Sequence, residues 1–297
     1  MRILMTGASG LIGSALTKRL SADGHSLLRL VRRPAQDGEM TWDPTAGTLD
    51  PAAFDGCDAV INLSGAGIGD KRWTDQYKDQ LLSSRLQTTE LLAKTMVGLD
   101  AMPSVFLSGS AIGWYGDRGD ERLDELSAPG SGFLSDICQR WEGATLIAEE
   151  AGVRTVHLRS GVVLSNDGGA LKKQLPLFKL GLGGRFGNGH QWQSWIAIDD
   201  EVGAISHLLT SEVCGAVNLT APNPVTNSEL TTTLAKVLHR PAFIPIPMFA
   251  PKLLLGGELV DTLLLGGQRV LPTVLMRSGY EFKHTTLDGA LRDVLHR

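Results

Sequence analysis

Three glycines near the start of the chain have the spacing of a phosphate-binding turn. Thr6-Gly7-Ala8-Ser9-Gly10-Leu11-Ile12-Gly13 follows Arg2-Ile3-Leu4-Met5, a short apolar run suited to a buried strand. After it, Ile12, Ala15, Leu16 and Leu20 recur at helical spacing, and Gly24 sits where that helix should stop. Glycines on a strand-to-helix turn suit a dinucleotide. Gly7 allows the tight turn, Gly10 lets the backbone approach a pyrophosphate, and Gly13 lets helix pack on strand. The helix N-terminus offers free N–H groups to the anion. Gly7, Ser9, Gly10, Leu11, Ile12 and Gly13 are therefore candidate cofactor contacts. The next strand, Ser26–Val31, ends in Arg32-Arg33-Pro34. Such a strand end meets the adenosine ribose, where a carboxylate suits the 2′-hydroxyl of NAD and an arginine the 2′-phosphate of NADP. Arg32 and Arg33, with no carboxylate beside them, predict NADP.

The remaining pattern alternates strands and helices. Met40–Asp43, Asp58–Leu63, Val105–Leu107, Val153–Leu158 and Gly215–Leu219 read as strands. Helical spacing covers 75–97 and 133–151, and Thr226-Asn227-Ser228-Glu229 is a capping box that opens another helix. This alternation predicts an α/β fold, a Rossmann-type doubly wound parallel sheet. From Pro241 the composition changes to an apolar Pro-interrupted linker and Leu-rich helical stretches. The expected division is a nucleotide-binding domain over 1–240, with substrate-side insertions at about 165–200 and 220–240, and a smaller, mostly helical C-terminal domain over 241–297.

Composition narrows the function. A hydrophobic content of 42% and a charged content of 20% fit a soluble globular protein. The net charge of −4 argues against nucleic acid or an anionic membrane as partner, since both want a basic face. Cys57, Cys138 and Cys214 are far apart and form no redox or disulfide pattern, so a reducing compartment is expected. The histidines do not cluster with cysteines or carboxylates at ligand spacing, which predicts no metal site. A core strand beginning at residue 2 leaves no room for a targeting peptide, and no apolar run is long enough to span a bilayer; the expectation is a cytoplasmic protein. The partner is then a small molecule, with room left for a homodimer.

The G-x-x-G-x-x-G spacing resembles the extended short-chain dehydrogenase/reductases, which hold the sugar-nucleotide epimerases and dehydratases. Asp58–Gly65 resembles their D-x-V-x-[HN]-L-A-[AG] segment, which implies Leu63, Ser64 and Gly65 as cofactor contacts. Arg85 stands where their N-x-x-G-T-x-x-L-L segment has asparagine, and is directed either at cofactor or at a buried carbonyl. Ser108–Gly116 is similar to [ST]-S-[ST]-A-x-x-Y-G with one extra residue before Tyr115. That implies Ser108 beside the cofactor and Ser110 as the hydroxyl that hydrogen-bonds the reacting oxygen. Leu158-Arg159-Ser160-Gly161-Val162-Val163-Leu164 is similar to the family's nicotinamide-side wall and adds Ser160.

One family mark is missing. The catalytic Y-x-x-x-K pair should lie on the 133–151 helix. Aligning Glu142 with the family's glutamate places Leu134 and Cys138 at the tyrosine and lysine positions. Tyr77, Tyr115 and Tyr280 are followed four residues on by Leu81, Gly119 and His284. Tyr115, five residues beyond Ser110, is the nearest replacement acid/base in sequence. Over its whole length the chain resembles the epimerase-family branch related to human short-chain dehydrogenase family 39U member 1 and to bacterial sugar-nucleotide epimerase-like proteins with a small C-terminal domain. Arg140-Trp141-Glu142, Arg159–Leu164, Leu180–Gly184 and Gly267–Pro272 are its marks. The resemblance implies an NADP-dependent oxidoreductase or epimerase acting on a small polar or nucleotide-linked substrate. The alternative is a non-catalytic NADP(H)-binding regulatory protein that acts through a partner, with cell division among the roles of plant and cyanobacterial relatives.

Overall fold

The strand-forming runs assemble into one seven-stranded parallel sheet in the computed structural model, which describes residues 1–296. Its strands are β1 (Arg2–Thr6), β2 (Ser26–Val31), β3 (Glu39–Thr41), β4 (Ala59–Asn62), β5 (Val105–Ala111), β7 (Arg154–Ser160) and β11 (Gly215–Leu219). The short strands β6 (Arg122–Leu123), β8 (Val162–Leu164), β9 (Trp192–Gln193), β10 (Trp195–Ala197), β12 (Val225–Thr226) and β13 (Arg269–Val270) pair outside it. The sheet order is β11-β7-β5-β4-β1-β2-β3. The chain moves one way from β1 to β2 and the other way from β1 to β4, which makes the C-terminal edge there the ligand crevice of a doubly wound sheet. Ile3, Leu4, Met5, Val60, Ile61, Phe106 and Leu107 have no exposed surface, as strands covered on both faces require.

Helices α1 (Leu11–Ala22) and α6 (Ile198–Thr210) cover one face, and α2 (Asp75–Val97), α3 (Phe133–Gly143) and α4 (Leu146–Glu150) the other. The single helix expected over 133–151 is two. At the break, Thr145 Oγ1 bonds the Glu142 carbonyl at 2.8 Å and the Glu149 carboxylate at 2.6 Å, so a side chain competes with the helical ladder. The strand expected at 153–158 runs two residues further, to Ser160, because β5 and β11 both pair with it to that point. The strand expected at 40–43 shifts to Glu39–Thr41.

A second apolar core joins α5 (Gly169–Lys179), α7 (Asn227–Leu238) and β10 to Leu287, Ala290 and Leu291 of the last helix. Leu275 lies in the first core, and β13 pairs with β6. Residues beyond 241 thus share both cores with the rest of the chain. The 261–265 turn brings Leu263 and Leu264 against Ala66, Ile68, Phe133 and Leu134, above the crevice side of α2 and α3.

Candidate cofactor and substrate cleft

The glycine turn is shaped by its neighbours. Gly7 has φ +69°, and a Cβ there would stand 2.5 Å from the Leu63 carbonyl oxygen. A Cβ on Gly13 would overlap the Gly7 carbonyl and lie 2.8 Å from Ala8 Cα. These two glycines therefore serve the fold itself. At Gly10 an added Cβ would meet a single atom, the Gly7 carbonyl oxygen at 3.3 Å, a tight contact but a lesser one than at Gly7 or Gly13. Helix α1 starts beyond it with no side-chain cap, which leaves its first N–H groups for an anion. Ser9 and Gly10 are exposed, and Leu11 and Ile12 half-buried.

At the end of β2 the structure corrects the reading of the arginine pair. A carboxylate is present after all: Glu39 on β3 accepts both Arg33 nitrogens, at 2.7 and 2.8 Å. Arg33 holds Glu39 below the usual carboxylate range, with the Gln36 N–H helping. Arg32 is exposed and has no ion-pair partner among the described residues. Of the two arginines, only Arg32 is left without an ion-pair partner among the described residues.

At the end of β4, Leu63 and Ser64 are half-buried and Gly65 is exposed. Beneath them Asn62 accepts from Thr6 Oγ1 at 2.7 Å and donates to Thr89 at 2.8 Å, and Thr89 also accepts the Trp141 indole N–H at 3.0 Å. Arg85 lies over the Trp141 ring, 5.0 Å from its centroid. Its guanidinium donates to the carbonyls of Leu81, at 2.8 Å, and Ala66, at 3.0 Å. Of its two expected targets, the structure shows the carbonyls. With no carboxylate bonded to it, burial lowers its pKa.

The end of β5 carries the main polar constellation. Ser110, 6% exposed, donates to Glu142 Oε1 at 2.6 Å. Arg159 from β7 grips the same carboxylate through Nε at 2.8 Å and Nη2 at 2.9 Å. The Arg159 guanidinium lies 3.9 Å from the Trp114 ring centroid, and its Nη1 donates to the Tyr115 hydroxyl at 3.0 Å. Tyr115 donates in turn to Asn218 Oδ1 at 2.7 Å. Behind Glu142, His157 approaches Oε2 at 3.7 Å and Glu149 at 3.2 Å.

This network separates the candidates. Tyr115 has no exposed surface and both of its hydrogen-bond roles are filled. Burial, opposed by Arg159, pushes its hydroxyl up to about 12. The placement makes it a core residue rather than an acid/base. Ser108 is equally sealed, with a buried Oγ that has no partner, so its side chain cannot reach a cofactor. Leu134 packs in an apolar cluster with Phe133, Trp73 and Leu264. Cys138 is buried, and burial pushes its thiol up to about 12, so it stays a neutral thiol. Neither can carry a relay.

Ser160 remains half-exposed at the end of β7 and donates to Glu201 Oε1 at 2.6 Å. Glu201, Glu142 and Arg159 were not among the sequence candidates for chemistry. For Glu201 a signal existed: it shares a helix face with Ala204, Ile205 and Leu208, where a carboxylate is out of place. No cluster of His, Cys, Asp or Glu among the described residues could hold a metal ion, and no helix there is long and apolar enough to cross a membrane.

Residues 3–219 match the NAD dependent epimerase/dehydratase family. The chain belongs to this family. Residues 246–294 match a further conserved domain of unknown function, DUF1731. An epimerase family protein of Mycobacterium leprae is 43% identical over 291 residues, 97% of this chain and 94% of that protein. The crystal structure of human epimerase family protein SDR39U1 with NADPH superposes with a TM-score of 0.92 at 36% identity, covering 100% of both chains. A nucleoside-diphosphate sugar epimerase from Corynebacterium glutamicum gives 0.80 at 35% identity, over 99% of this chain and 58% of that one. As an NAD dependent epimerase/dehydratase family member, the protein has a cradle that fits a dinucleotide. The α1 N-terminus carries no side-chain cap, and Arg32, just past β2, is exposed with no ion-pair partner among the described residues.

Proposed function

We propose that the protein binds NADP(H) along the C-terminal edge of its sheet and acts as an oxidoreductase or epimerase on a small, hydroxyl-bearing substrate. A nucleotide-linked sugar belongs to that class, as the name of the Corynebacterium glutamicum relative suggests. The observation that carries the reading is the Ser110–Glu142–Arg159 arrangement. The serine's one proton is committed to an ion-paired carboxylate, so its oxygen offers lone pairs to a ligand. With its proton directed to Glu142, Ser110 is then suited to accept from a substrate hydroxyl.

NADP(H) supplies the hydride acceptor or donor. When a substrate alcohol loses hydride from carbon, its hydroxyl proton passes to Ser110 Oγ, and the proton Ser110 carried passes to Glu142 Oε1. Arg159 holds Glu142 in line for that transfer and Trp114 covers the Arg159 face. Reduction runs the same two transfers backwards. The cofactor contacts in this reading are Ser9, Gly10, Leu11, Ile12, Arg32, Leu63, Ser64, Gly65 and Ser160, on a turn whose shape Gly7 and Gly13 allow, with Arg85 supporting the 65–66 turn.

A second reading is favoured by one observation, the apolar and thiol side chains at the relay positions, Leu134 and Cys138. It is an NADP(H)-binding regulatory protein that acts through a partner. One experiment separates the two. NADPH and NADH are titrated by calorimetry, and absorbance of the nicotinamide is then followed with a panel of alcohols, ketones and nucleotide sugars. Tighter NADPH binding with turnover that Ser110→Ala abolishes supports the first reading. Tight binding with no turnover across the panel supports the second.

A further inference from the structure

The first turn of α6 places a carboxyl group in the core. Glu201 has no exposed surface and shares its face with the fully buried Ala204, Ile205 and Leu208. Its Oε1 accepts the Ser160 hydroxyl, and its Oε2 is buried with no hydrogen-bond partner among the described residues. An ionised carboxylate with one oxygen unpaired in such a place is costly, whereas the acid holds a proton and stays neutral. Burial pushes Glu201 up to about 8, with the Ser160 bond pulling the other way.

Ser160 ends β7, level with Ala111 on β5 and Leu219 on β11. A dinucleotide at the switch point of a doubly wound sheet lies across the strand ends with one half on each side. Here the glycine turn follows β1 and Arg32 follows β2, so the adenosine side lies over β1, β2 and β3. The nicotinamide half then falls over the ends of β4, β5 and β7, beside Ser160. We propose that the Ser160–Glu201 pair is a proton site linked to the redox state of the bound nicotinamide. Glu201 keeps its proton opposite the neutral reduced ring and releases it to solvent opposite the cationic oxidised ring. The inference rests on the NADP(H) reading above. It requires no bond to carbon: the hydride and its electrons stay between cofactor and substrate, and only a proton moves between Glu201 and buffer.

The surrounding charges are otherwise engaged, save Lys18, which is exposed to solvent. On α6, Asp199 pairs with Lys283, and Asp200 accepts the Lys283 and His284 N–H groups and the Tyr280 hydroxyl. His207, two turns further on, bonds Ser278. Helix α1 brings Lys18 and Arg19, and Arg19 is bonded to Asp23. On β7, Arg159 and His157 turn to the opposite face, toward Glu142, and Arg154 bonds carbonyls at the far end of α6. Strands β5, β8 and β10 carry no titratable side chain. The nicotinamide is thus the charge whose change Glu201 would feel.

The test is calorimetric titration of NADP⁺ and NADPH from pH 6 to 9 in buffers of differing ionisation enthalpy. The 2′-phosphate titrates near 6 in both redox forms and cancels from their ratio. In the native protein, Kd(NADP⁺)/Kd(NADPH) should fall by about tenfold as pH rises, the size of one partly screened charge contact. NADP⁺ binding near pH 7 should release more protons than NADPH binding, the excess being that of Glu201. In Glu201→Gln, which keeps an acceptor for Ser160, the ratio should be flat and the excess absent, with Glu201→Leu as the second variant. A flat ratio or equal proton release for the two nucleotides in the native protein overturns the proposal, as does an unchanged slope in Glu201→Gln. Failure to bind either nucleotide overturns the cofactor reading itself.

Discussion

Replacing Glu142 with alanine should be among the most damaging single changes in the cleft, and its cost follows from the geometry. Arg159 makes two of its three side-chain hydrogen bonds to Glu142, at 2.8 and 2.9 Å, and its side chain is only 4% exposed. Without the carboxylate, the guanidinium keeps the Tyr115 hydroxyl at 3.0 Å and the Trp114 face at 3.9 Å, neither of which neutralises it. Breaking such a buried pair on one side costs about 3–5 kcal/mol, because a charge is left desolvated and unpaired. Ser110 loses its acceptor too, which adds on the order of 1 kcal/mol. Urea unfolding should show the midpoint fall with the slope unchanged. The control is Glu142→Leu with Arg159→Met: removing both charges should recover most of the loss, since a buried pair is roughly interchangeable with apolar side chains of similar volume. A single-variant loss under about 1 kcal/mol, or a double variant no more stable than Glu142→Ala, would refute the reasoning and mean that water already solvates Arg159.

The glycines should split by role: Gly10→Val, at the α1 N-cap, should cost on the order of 1 kcal/mol of stability and lose the NADPH-induced rise in melting temperature, whereas Gly13→Ala, whose Cβ would overlap backbone, should cost more, about 3 kcal/mol. Arg32→Asp should narrow or invert the preference for NADPH over NADH in calorimetry, and equal affinity in the native protein would remove the phosphate reading; one charge-assisted contact is worth about 1.5–3 kcal/mol, tenfold or more. Glu201 also sets a pH dependence of stability. An unfolded glutamate loses its proton near 4.5 and the native one near 8, so its contribution is full below 4.5 and lost as pH rises through 8, by roughly 4–5 kcal/mol. Unfolding curves of Glu201→Gln should lack that decline between pH 5 and 8, and parallel curves would count against a buried acid. Tyr115→Phe should cost about 1–3 kcal/mol of stability, by leaving Asn218 and Arg159 short of a partner, without changing turnover per folded molecule.

What could be read from the sequence was local. The glycine turn, the 75–97 helix and the Thr226 capping box each lie within a continuous run, and local spacing decides them. The roles that had to be revised depend on contacts made across the fold. Arg33 looked free because its carboxylate lies six residues on, across the β2–β3 turn. Tyr115 looked like a replacement acid because it follows Ser110. Its hydroxyl instead bonds Asn218, 103 residues away, and Arg159 on a neighbouring strand. The register pairing Ser110 with Arg159 and Ala111 with Ser160 decides the rest. Residues paired in a parallel sheet point to the same face, and the next pair points to the other. So Ser110 and Arg159 meet Glu142 on the α3 side, while Ser160, one residue later, meets Glu201 on the α6 side. Two serines at adjacent strand ends therefore back onto two different carboxyl groups. Glu142 is gripped by arginine and accepts the Ser110 hydroxyl. Glu201 has no cation bonded to it among the described residues and, being buried, holds its proton. In the proposed reading, substrate protons then move on the α3 side through Ser110 and Glu142, while Glu201 on the α6 side exchanges its proton with solvent alone.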